Sequence, residues 1–181
     1  MQRFDEARQI IHEALNRKVD DFLLHEALYA LAFLGADSSA MAEEQEWFAG
    51  KPDYENVGLA LEADTKAYAG HLGKARELTR QAVDLAIRAD NKESGAIWQA
   101  IAAQREAAYG YPADARVSAA EALKLTPASQ GAAVEATLAL AMAGRHGASG
   151  IVGARLGGAL PTRHANAVAL AACNSGSTGA R

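Results

Sequence analysis

A glycine followed five residues later by a small residue recurs along this chain, at Gly35/Ala40, Gly70/Ala75, Gly110/Ala115 and Gly144/Ser149. The glycines stand 35, 40 and 34 residues apart, a spacing that marks arrays of helical repeats. Each unit of such an array buries its apolar face against its neighbours, so the whole can fold without a globular centre. The expected fold is all-α, a helical-hairpin solenoid over residues 1–144 followed by an irregular tail over 145–181. An array of this kind normally offers a binding surface and not a catalytic centre.

Composition supports that expectation. Half of the 181 residues are apolar but only 6% are aromatic, and alanine supplies much of the apolar share. Alanine is the best intrinsic helix former, and its small side chain lets helices approach closely. A formal net charge of −4 leaves no broad basic footprint, so nucleic acid is not an expected partner. The lone Cys173 excludes an internal disulfide and fits a reducing compartment. No apolar run approaches the roughly 20 residues of a membrane span, and the N-terminal string MQRFDEARQ has no apolar signal core. The sequence therefore reads as soluble and cytoplasmic, without a membrane partner.

The periodicity predicts helices separated by short turns. Phe4, Ala7, Ile10, Ile11, Ala14 and Leu15 form one helical face within residues 3–18. Asp20 and Asp21 are candidate caps for a second helix, FLLHEALYALAFL, that stops at Gly35. Asp37, Ser38 and Ser39 can start a third, which must end before Lys51-Pro52. Asp53 is expected to cap the helix from Tyr54 to Ala69, closed by Gly70. Helices follow over 74–89, from Asn91 or Lys92 to Tyr109, from Pro112 to the residues before Pro127, and over 128–143, the last ended by Gly144.

A finer signature lies inside the second helix of each pair. Ala7, Ile11 and Ala14 match Ala75, Thr79 and Ala82, and both sets match Ala115, Ala119 and Ala122. Residues seven apart lie on one helical face, where a neighbouring helix packs closest. The arrangement resembles the tetratricopeptide repeat, whose helix pairs keep small residues at those places. Residues 37–52 depart from it, because Glu44 and Trp47 fall on the sites held elsewhere by Thr79 or Ala119 and by Ala82 or Ala122.

The strings ALYALAFLGADSSAMAEEQEWFAGKP, ADTKAYAGHLGKARELTRQAVDLAIRADNKESGAIWQA and REAAYGYPADARVSAAEALKL carry a narrower likeness. They resemble the helical-repeat region C-terminal to the kinase domain of bacterial, notably acidobacterial, eukaryotic-like serine/threonine protein kinases. The resemblance covers residues 3–144 and implies a fragment of a larger signalling protein. Kinase chemistry itself is absent from the string, which has no Gly-rich phosphate loop, HRD or DFG. Gly70-His-Leu-Gly-Lys-Ala75 is no phosphate loop, since Tyr68 and Ala75 occupy places that need Gly and Ser or Thr. His12-Glu13 and His25-Glu26 begin like helical zinc sites, but Asn16 and Tyr29 replace the second histidine. Gly157-Gly158 lacks the strand-before-helix setting of a dinucleotide fingerprint. No catalytic residue, cofactor or metal is expected, and the chain is not expected to be an enzyme.

The tetratricopeptide resemblance implies that the first helix of each pair lines a groove, through positions ten, six and two before the turn glycine. Those positions are His25, Tyr29 and Phe33, then Ala60, Asp64 and Tyr68, then Ala100, Gln104 and Ala108. His25, Tyr29, Asp64, Tyr68 and Gln104 are the groove candidates, and the expected partner is a protein or an extended or helical peptide. The alternative is a structural or oligomerising segment that self-associates through uncapped repeat ends. Two further expectations concern those ends. QRFDEAR aligns with HLGKAR and YPADAR, so the first helix of that pair is expected to be missing. Residues 145–181 contain no Asp, Glu, Lys or aromatic residue yet hold seven Gly and four Arg. Read one base out of frame, permitted codons give them a helical continuation with an Asp start, which predicts a frameshifted tail without function.

Overall fold

A computed structural model describes residues 3–148. The described residues form eight α-helices and no strand: α1 (Phe4–Asn16), α2 (Phe22–Leu34), α3 (Ser38–Ala49), α4 (Glu55–Tyr68), α5 (Leu72–Arg88), α6 (Lys92–Ala108), α7 (Pro112–Leu125) and α8 (Gln130–Ala148). None of them is long and apolar enough to cross a membrane. The frameshift expectation and Cys173 lie outside the described residues.

Local chemistry explains most boundaries. The carboxylate of Asp21 accepts the Leu23 amide, that of Asp37 accepts the Ala40 amide, and the Asn91 side chain accepts the Ser94 amide. Each satisfies one of the donors that a helix start leaves without an intrahelical partner. Pro112 stands in the first turn of α7, where its missing N–H costs nothing. Asp53 does not cap α4 as expected. The helix begins two residues later, and the Asn56 side chain folds back to donate to the Asp53 carbonyl at 3.1 Å.

Five helix ends share one turn. Lys18, Ala36, Gly70, Asp90 and Gly110 take left-handed φ values of 63°, 53°, 83°, 57° and 86°. The amide after each reaches back five residues, Val19 to Ala14, Asp37 to Ala32, His71 to Lys66, Asn91 to Ala86 and Tyr111 to Glu106, at 2.8–3.1 Å. This is the Schellman closure, which satisfies carbonyls that the helix end would otherwise leave open. Gly35, expected to be the turn residue, keeps a right-handed φ of −81°, and Ala36 is left-handed instead.

That one-residue shift moves the register of the following helix. Counting from Ala36, the equivalents of Ala75, Thr79 and Ala82 are Met41, Gln45 and Phe48, not Ala40, Glu44 and Trp47. Phe48 is 1% exposed, at a site where Ala82 and Ala122 are fully buried. Room for its ring comes from Gly58 on α4, where an added Cβ would lie 2.6 Å from the Phe48 Cβ. The crossing of α3 and α4 is therefore kept by exchanging large for small across it.

The core is a series of clusters along the chain. Ala100 and Ala103 of α6, Ala119 and Ala122 of α7, and Ala136 and Ala139 of α8 meet with no exposed surface. Tyr29, Phe48, Val57 and Leu61 form a second cluster, with Phe22, Met41, Trp47, Tyr54 and Trp98 around it. Ile11, Leu28 and Leu31 join α1 to α2.

At the other end, α8 runs through Gly144 to Ala148 instead of stopping there. Gly144 does not take a left-handed φ, and a Cβ at that position would meet nothing within 4 Å. The two glycines should thus respond oppositely to alanine in chemical denaturation. Gly58→Ala should cost about 1–3 kcal/mol, because the Phe48 Cβ is fixed to the backbone and no rotamer change relieves the overlap. Gly144→Ala should gain about 0.5–1 kcal/mol by removing backbone freedom from the unfolded chain. Equal midpoints for the two variants would contradict this packing.

Candidate functional site

Aromatic side chains stand at the C-terminal ends of α2, α4 and α6. Phe33 meets Tyr68 edge-to-face, with ring centroids 5.2 Å apart and planes at 83°. The Tyr109 hydroxyl donates to the Ala67 carbonyl at 2.5 Å, so the end of α6 is held against the end of α4. Tyr111 follows in the next turn, with the Arg76 guanidinium 5.0 Å from its ring centroid. Tyr68, Tyr109 and Tyr111 keep 52%, 46% and 46% of their surface in solvent.

Arg76 is itself held in place. Its Nε donates to Glu106 Oε1 at 2.8 Å and its Nη2 to Glu106 Oε2 at 2.6 Å, with Asp114 at 3.5 Å. The hydrogen bonds to Glu106, above all, hold the guanidinium proton even more firmly than in a free arginine. Glu106 is buried, and the two-pronged pairing is what makes a buried carboxylate tolerable there.

Polar ties join α4 to α6. Trp98 donates to Asn56 at 2.9 Å, and Arg105 pairs with Asp64 while also donating to the Thr79 hydroxyl. A cleft of about 280 Å³ is lined by α5, α6 and α7. Arg76, Arg80 and Arg105 line it together with Glu106, Asp114 and Glu121, so its charges balance. Arg76 both lines the cleft and meets the Tyr111 ring.

The five groove candidates do not form one surface. His25 is buried, with Nδ1 2.6 Å from Glu44, Nε2 2.8 Å from Asp20 and its ring stacked 3.7 Å from Trp47. Tyr29 is 1% exposed and shares a hydrogen bond with Thr65 at 2.9 Å. Gln104, also buried, donates to the carbonyl and the carboxylate of Glu135 on α8, at 3.1 and 2.5 Å. These three are packing residues, because the helical face to which the count assigns them is covered by the next elements. Asp64 is half-buried in its pair with Arg105. Tyr68 alone stands well exposed.

Counting residues also passed over Tyr109 and Tyr111. Their signal is the string YGY around Gly110, with tyrosine beside the turn residue and not along the helix face. Among the described residues, no group of three His, Cys, Asp or Glu side chains could hold a metal ion. No protein family, curated protein or solved structure matches the chain.

Burial pushes the Tyr29 phenol above its ordinary value of 10.0, against the smaller opposing effect of its bond to Thr65. The folded state therefore retains this proton when the unfolded chain has begun to lose it. Its contribution is whole below about pH 10 and declines as pH rises beyond that. Tyr29→Phe should lose about 0.5–1.5 kcal/mol at pH near 8 with the bond to Thr65, yet decline less steeply above pH near 10. Denaturation curves on both sides of that pH measure the difference, and parallel declines would contradict burial as the cause.

Proposed function

We propose that this chain is a non-catalytic, tetratricopeptide-like helical repeat module that binds a protein or peptide along the edge formed by Phe33, Tyr68, Tyr109 and Tyr111. The reading of repeats is supported by the shared turn at Ala36, Gly70 and Gly110 and by the fully buried Ala75, Ala82, Ala115 and Ala122 at matched places. The single observation that carries binding is the set of half-exposed tyrosines, braced by each other's helices and by Arg76. Tyrosine offers rigid contact area with a polar tip at low entropic cost, and it is enriched where a few residues supply most of the binding energy. A partner meeting this edge finds side chains that are already ordered, which reduces the entropy lost on association. Membership of a kinase-type signalling protein rests on the resemblance of the strings alone.

A second reading, self-association, is favoured by the terminal helices. Ala7 and Ala14 are half-buried where their counterparts are fully buried, Ile10 is 60% exposed, and Val134 and Leu138 lie exposed four residues apart on α8. Peptides selected on the full chain from a random displayed library separate the two readings. Tyr68→Ala and Tyr111→Ala should each weaken the selected peptides by about tenfold or more, about 1.4 kcal/mol, with helicity unchanged. Leu138→Asp should leave that affinity intact. Affinities unmoved by both tyrosine changes would remove the edge as the site, and a concentration-dependent dimer abolished by Leu138→Asp would favour self-association.

A further inference from the structure

His25 stands near the start of α2 with both ring nitrogens against carboxylates. Nδ1 lies 2.6 Å from Oε2 of Glu44 on α3, and Nε2 lies 2.8 Å from Oδ1 of Asp20 in the loop before α2. An ionised carboxylate only accepts hydrogen bonds, whereas a neutral imidazole has one N–H and one bare lone pair. Either neutral tautomer would set a lone pair against a carboxylate oxygen at one of these two distances. The imidazolium, with two N–H groups, satisfies both.

The surroundings point the same way. The ring lies 3.7 Å from that of Trp47 at an interplanar angle of 18°, and a cation over an indole face gains attraction that a neutral ring lacks. The other charge at this indole is Lys51, whose Nζ is 3.6 Å from the ring centroid. On the histidine's own helix the neighbouring acids are Asp21, which holds the Leu23 amide, and Glu26.

We propose that His25 is a proton-operated latch. Protonated, it ties the loop before α2, the body of α2 and α3 into one unit through Asp20 and Glu44. Loss of one proton breaks one of the two bonds and loosens α3, together with the Trp47 stack that links it to Tyr54 at the entrance to α4. Both bonds form only on the doubly protonated ring, so the latch is closed with that proton bound and open without it. The consequence is a first pair of helices whose rigidity follows pH, at the opposite end of α2 from the aromatic edge.

The test uses ¹⁵N-labelled full-length protein and spectra of the imidazole nitrogens from about pH 5.5 to 8.5. His25→Gln assigns the signal, and the exposed His12 and His71 serve as internal references. At the acidic end both His25 nitrogens should carry protons, and the Trp47 indole signal should move with the midpoint at which one is lost. Over the same range the melting temperature of the wild type should fall by a few degrees relative to Glu44→Gln, whose amide can donate to a neutral ring. A His25 ring that is a single neutral tautomer throughout, or melting profiles of wild type and Glu44→Gln that run parallel, would overturn the latch. If His25→Gln does not fold, Glu44→Gln supplies both the assignment and the comparison.

Discussion

Where α6, α7 and α8 meet, six alanines stand without exposed surface, and the backbones approach as closely as a methyl group allows. Everything larger must go elsewhere. A methylene added at such a crossing has no void to enter, and overfilling a close-packed contact costs about 1–3 kcal/mol. The small side chains therefore do more than tolerate proximity, since they set the distance at which the next helix can lie. Gly58 opposite Phe48 obeys the same rule from the other side, with the bulk and the gap exchanged. Stability is consequently distributed over many shallow contacts, not gathered in one thick core.

Between α4 and α6 the rule gives way to a different solution. There Trp98, Arg105 and Tyr109 reach across to Asn56, Asp64 and the Ala67 carbonyl, and polar bonds fix a spacing that alanine does not. The last of these ties is also what presents Tyr109 to solvent beside Tyr68. In this structure the order of the aromatic edge and the packing of the two helices are the same fact. Arg76 extends the arrangement by joining Glu106 inside to the Tyr111 ring outside.

Most of the helices were legible in the sequence because their ends carry strong local signals. Gly70, Gly110, Pro112 and the capping Asp21, Asp37 and Asn91 act within a few residues and need no tertiary context. The turn at Ala36 departs from its sequence signal for a physical reason. With Gly35 next to Ala36, counting from the glycine is natural, but a left-handed Gly35 would deprive Asp37 of its capping place. The Asp37 cap and the burial of Phe48 together offset the strain of a left-handed alanine. Which faces meet solvent was less legible. Spacing by four places His25, Tyr29 and Phe33 on one face correctly, but whether that face meets water depends on where the next helix lies. The tyrosines flanking Gly110 escaped notice because a residue beside a turn has no periodicity to reveal it.

Protection from exchange should be greatest in α6, which neighbours cover on several sides, and least in α1. α6 packs against α5, α7 and α8, whereas α1 packs against α2. Native-state amide hydrogen exchange on a verified monomer reads this gradient directly. The amides of residues 100–107 should exchange at least about tenfold more slowly than those of residues 7–14, with α4 and α5 in between. Uniform protection across α1 and α6 would mean that the fold opens as a single unit, and would contradict the account.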